Sequence, residues 1–104
     1  MDRSPAIDRQ AVIDRLIAHE AELRAMGVIS LSLFGSVARG EAGSASDVDV
    51  IASMDDETVR TLLDVAGINH RLAELLGMSV DLVSEAGMKP RFRERVRQDA
   101  VLLF

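Results

Sequence analysis

The run Leu33-Phe34-Gly35-Ser36-Val37-Ala38-Arg39-Gly40, closely followed by Ser46-Asp47-Val48-Asp49-Val50, constrains this chain more than any other stretch. It joins an apolar strand, a Gly-Ser turn with a cation one helical turn later, and a second strand with carboxylates at i and i+2. Side chains two apart on a strand leave the same face. Asp47 and Asp49 therefore point together while Val48 and Val50 point to the core. Adjacent anions repel, and a fold carries them when a cation sits between them or when they stay hydrated. Hard carboxylate oxygens suit Mg²⁺. The Gly-Ser turn alongside offers backbone N–H groups to a phosphate. Together these pieces read as a nucleotide–Mg²⁺ site. In the plainer alternative, Asp47 caps the strand start and Asp49 is merely solvated; yet aspartate is depleted in strands.

The rest of the chain frames that motif. Apolar residues recur at helical spacing over 8–26 (Val12, Ile13, Leu16, Ile17, Ala21, Leu23, Met26), and Gly27 is the expected stop. Residues 28–34 alternate as a strand, 36–40 hold one helical turn, 41–46 form a polar loop, and 47–52 make a second strand. Asp55-Asp56-Glu57 looks like a capped, acidic helix start, so one helix is expected over 55–76. Its buried stripe would be Val59, Leu62, Leu63, Ala66, Leu72, Leu75 and Leu76, with a possible kink at Gly67 and an end at Gly77. A third strand follows over 79–84, then a short helix opened by Pro90 and an apolar tail at 101–104. The expected fold is α/β in the α+β sense: one small mixed β-sheet with helices packed on it, a single domain over 1–104 with 1–7 loose.

Two further residues bear on the chemistry. Asp81 is an acid inside the apolar strand Ser79-Val80-Asp81-Leu82-Val83. If the second and third strands are neighbours, as a helical crossover allows, Asp81 joins the other two on one sheet face. Three carboxylates around two metal ions is the arrangement of in-line phosphoryl and nucleotidyl transfer; the alternative for Asp81 is an ion pair with an arginine. Arg39 lies on the side of the turn that Ser36 occupies and can reach the same phosphates; alternatively it pairs with Glu41 or a carboxylate of the cluster. Lys89, Arg91, Arg93, Arg95 and Arg97, against Glu94 alone, form a basic helix face that is either solvated or turned to an acidic partner or the nucleotide. His19 and His70 have no ligand at useful spacing and read as surface residues.

Composition narrows the class. With no cysteine, disulfides and thiolate sites are excluded and a reducing cytoplasm is the expected location. No signal peptide and no membrane-spanning segment is expected. A net charge of −5 and an absence of Trp and Tyr argue against a nucleic-acid-binding surface.

The pattern Gly35-Ser36-x-x-Arg39-Gly40, then Ser46-Asp47-x-Asp49, then Asp81, resembles the DNA polymerase β-like nucleotidyltransferases, and in its length most of all their minimal (MNT) branch. The resemblance implies that Gly35 and Ser36 bind the triphosphate of ATP, with Arg39 and Ser46 in the nucleotide site, and that Asp47 and Asp49 hold two Mg²⁺ ions. It implies that Asp81 completes one metal site and favours deprotonation of the acceptor hydroxyl. It also implies a partner: minimal members resemble antitoxins that neutralise an all-helical HEPN protein, transferring AMP to one of its tyrosines, in the manner of type VII systems. Two other readings stay open at this point, an antitoxin that neutralises by binding alone and a small-molecule nucleotidyltransferase. An oligomer is compatible with all three.

Overall fold

The computed structural model describes residues 8–40 and 47–104. The loose segment expected at 1–7 and the loop at 41–46, Ser46 included, lie outside them. Among the described residues the elements run α1 (Arg9–Ala18), α2 (Glu20–Ala25), β1 (Val28–Phe34), α3 (Gly35–Ala38), β2 (Val48–Met54), α4 (Leu62–Leu76), β3 (Val80–Ser84), a 3₁₀ turn (Glu85–Gly87), α5 (Pro90–Asp99) and β4 (Val101–Leu102).

The sheet has the order β3-β2-β1-β4. β1 is antiparallel to both β2 and β4, and β2 is parallel to β3 through the α4 crossover, so the sheet is mixed as expected. Period-two alternation divides it. Leu31 and Leu33 of β1 and Val48, Val50 and Ala52 of β2 are buried in one core with Val12 and Leu16 of α1, Leu23 of α2, and Ile68, Leu72, Leu75 and Leu76 of α4. The opposite face carries Phe34, Asp49 and Asp81 at one level and Ser32, Ile51 and Val83 at the next, set side by side by the strand register. α5 packs there: Val96 is buried, and the Phe34 and Phe92 rings meet edge to face at 6.1 Å.

Three expectations need correcting. The helix over 8–26 is two helices broken at His19, whose N–H bonds back to Leu16 O at 3.2 Å. The helix expected from Asp55 starts instead at Leu62, capped by Thr61. Asp55 spends its side chain on a turn, accepting from Glu57 N and Thr58 Oγ1 at 3.1 Å each, while its own N–H reaches Gly27 O at 2.8 Å. With the start displaced, the stripe rotates: Leu62 and Leu63 are 87% and 83% exposed, Ala66 is exposed too, and Ile68 takes the buried place. α4 runs continuously through Gly67.

Candidate active site

The site is built where β1 ends and β2 begins. β1 turns directly into α3, and Gly35 adopts φ +75°, the left-handed region that a side chain disfavours. Val37 and Ala38 are buried and anchor the short helix, while Ser36 is half-buried and Arg39 exposed. Arg39 N donates to Gly35 O at 3.2 Å, closing the turn.

The carboxylates come from the neighbouring strands. Asp49 stands opposite Phe34 of β1 on one side and in register with Asp81 of β3 on the other. The strand adjacency on which Asp81's membership of this face depended is therefore present. Asp47 is exposed immediately before β2. Burial, then the charges of Asp81 and Asp47, push the Asp49 carboxyl above the usual carboxylate range, and Arg39 partly offsets this. Among the described residues no cation pairs with Asp81. Among them, too, no three His, Asp or Glu side chains are gathered tightly enough to hold a metal ion unaided.

Of the partners expected for Arg39, Glu41 lies outside the described residues, and the carboxylate cluster feels its charge at Asp49. Arg39 Nη1 lies 3.3 Å from Asp99 Oδ2 at the end of α5. Sequence reasoning missed this partner because sixty residues separate the two. It also missed the cleft beside the turn, a space of about 410 Å³ lined by Phe34, Gly35, Arg39, Phe92, Arg95 and Asp99 among others. The i,i+4 spacing of Arg91 and Arg95 was visible, but only the docking of α5 on Phe34 shows which of the two faces Gly35.

A parallel pair of in-register aspartates beside a glycine turn is the arrangement that the helical crossover allowed, and comparison with known proteins decides the family. Residues 16–103 match the nucleotidyltransferase domain. The chain belongs to this family. It is 39% identical over 87 residues to the protein adenylyltransferase MntA of Thermococcus cleftensis, covering 83% of this chain and 86% of that one. It is 33% identical over 75 residues to a Methanocaldococcus jannaschii protein assigned as a protein adenylyltransferase, covering 72% and 78%. Among solved structures, one assigned to the minimal nucleotidyltransferases superposes with a TM-score of 0.79 at 40% identity, covering 91% of this chain and 95% of that one. A chain from the complex of a tri-AMPylated HEPN toxin with an MNT antitoxin, from Shewanella oneidensis, shares the fold at a TM-score of 0.65 and 20% identity, covering 92% and 71%. The α+β fold and the nucleotidyltransferase class expected from the motifs are thus borne out. No helix among the described residues is long and apolar enough to cross a membrane.

Proposed function

We propose that this nucleotidyltransferase transfers AMP from ATP to a hydroxyl, a tyrosine's, on an all-helical HEPN partner, and so acts as an antitoxin. The observation that carries the reading is the register of Asp49 with Asp81 beside the Gly35 turn. Its likeness to MntA supports protein as the acceptor class.

The donor set fits Mg²⁺. Asp47, Asp49 and Asp81 offer only hard oxygens, and the upward push on Asp49 marks a cluster short of positive charge. Completed by the nucleotide's own phosphate oxygens, these three would hold two ions, which when bound would neutralise phosphate charge and polarise the reacting phosphoryl oxygens. The protein's own groups do the rest. Gly35, without a side chain, lets a phosphate approach the backbone; the Ser36 hydroxyl and the Arg39 guanidinium add donors, and Ser46 belongs to the same nucleotide site. Asp81, exposed at the edge strand, takes the proton from the acceptor hydroxyl. That oxygen forms its bond to the α-phosphorus as the bond from phosphorus to the bridging oxygen breaks, and pyrophosphate leaves with the electron pair. ATP and a cysteine-free chain both suit the cytoplasm.

Intact-mass spectrometry of a HEPN protein encoded beside this chain, after incubation with ATP and Mg²⁺, tests the reading. A gain of one or more AMP units is expected. Neutralisation of the partner with no mass gain would mean that this chain acts by binding alone.

A further inference from the structure

The cleft between α3 and α5 has a role that the carboxylate cluster and the Gly-Ser turn leave open. It is about 410 Å³, within the size range of small-molecule sites, and it opens directly beside Gly35. Arg39, at the end of α3, and Arg95, on α5, both line it, together with Phe34 and Phe92. The position of Arg95 is set by packing: Val96 next to it is buried, and the Phe34–Phe92 contact holds α5 against the end of β1. Arg39 has part of its charge answered by Asp99 at 3.3 Å. Among the described residues no carboxylate pairs with Arg95.

Charge says what such a cleft takes. The chain carries a net −5 and its site gathers Asp47, Asp49 and Asp81, so an incoming polyphosphate meets repulsion from the sheet face. The cleft offers that polyanion two guanidinium groups, the side chain best shaped to fork onto phosphate oxygens. We propose that Arg95, lining this cleft from α5, is a further phosphate-binding residue that takes the β- and γ-phosphates of the nucleotide together with Arg39. The pyrophosphate end then points toward α5 and leaves the α-phosphate at the aspartates. This placement rests on the adenylyl-transfer reading for its nucleotide, but the anion site itself does not. Arg91 lies on the same helix outside the cleft and serves as its control.

Calorimetry in Mg²⁺ with ATP, inorganic tripolyphosphate and AMP tests the proposal. Arg95→Ala should weaken ATP and tripolyphosphate about tenfold, the scale of one charge-assisted hydrogen bond, with AMP unchanged. Arg95→Lys should recover part of the loss, and Arg91→Ala should behave as wild type with an unaltered melting curve in all three variants. Wild-type affinity for ATP and tripolyphosphate in Arg95→Ala overturns the assignment, as does an equal loss for AMP. If the wild type binds tripolyphosphate through Arg95 but not ATP, the cleft stands and adenylyl transfer falls.

Discussion

Gly35 and Asp49 are packed so closely that a Cβ added to the glycine would fall on Asp49 Oδ2 and lie 3.1 Å from its Cγ. The turn proposed for phosphate and the carboxylate proposed for metal therefore share one space, and each excludes a side chain from the other. Gly35→Ala meets two penalties, the +75° φ and the collision with Asp49. The backbone term alone is about 1–2 kcal/mol. We expect a total near 2–3 kcal/mol in thermal or urea unfolding, together with loss of ATP binding as Asp49 is displaced. A variant that melts and binds like wild type would show that the turn can shift without cost.

Asp49 also sets a pH dependence. Burial and its two acidic neighbours raise its carboxyl above the usual range, so the folded protein resists ionising it. Stability at this residue is therefore greatest when Asp49 is protonated and falls as pH rises through its raised value. Below about pH 4, where an ordinary carboxylate is protonated as well, the penalty vanishes. Asp49→Asn without Mg²⁺ should stabilise the protein at pH 7 by roughly 0.5–2 kcal/mol, as relieving a functional-site strain does. The gain should shrink toward pH 4, and Mg²⁺–ATP affinity should drop sharply. Melting curves across pH, with calorimetry at pH 7, check both halves.

Arg39 is held by Asp99 across an exposed pair. Under the proposed function a phosphate competes with that carboxylate for the guanidinium. Surface pairs of this kind are worth about 0–1 kcal/mol, so Asp99→Asn should tighten ATP binding by a few-fold at most and cost little stability. Weaker binding would instead make Asp99 a support that orients Arg39.

The placement of the candidate site residues was more legible in the sequence than the helices around them, for a physical reason. The Gly35 turn and the strand on either side of it are short-range features, and strand periodicity alone put Asp47 and Asp49 on one face. Asp81 needed one topological step, the crossover that sets β3 beside β2. The start of α4 was misread because Asp55 satisfies backbone donors equally well in a turn as at a helix cap. What held it in the turn is tertiary: its N–H bonds to Gly27 O, and Val59 packs 2.6 Å from where a Gly27 side chain would begin. The partnership of Arg39 with Asp99, and the facing of Arg95 to Gly35, depend on where α5 docks, which no local pattern encodes.

The true α4 start gives a stability prediction of its own. Asp64 N donates to Thr61 Oγ1 at 3.2 Å and Thr61 N donates to Asp64 Oδ2 at 3.1 Å, a reciprocal cap. The backbone N–H groups of Arg60 and Thr61, both donating to Asp64 Oδ2, hold the Asp64 carboxyl below its usual range. Thr61→Ala should cost about 1 kcal/mol, whereas Asp55→Ala should leave the helical content of α4 unchanged in circular dichroism.

Asp81 separates catalysis from binding. It lies on the exposed edge strand, in register with Asp49 and one strand further from the Gly35 turn, which under the proposed function sets it toward the acceptor rather than the triphosphate. A group that acts as the acceptor oxygen loses its proton contributes in the transition state and little to ground-state binding. Asp81→Asn removes the proposed base, and with it one charge raising Asp49, without altering shape. The variant should fold, bind a HEPN partner and retain ATP affinity within a few-fold, yet transfer no AMP. Intact mass of the partner after incubation with ATP and Mg²⁺ reads the outcome directly. Undiminished mass gain with Asp81→Asn would remove Asp81 from the chemistry and leave proton removal to the solvent or to the partner itself.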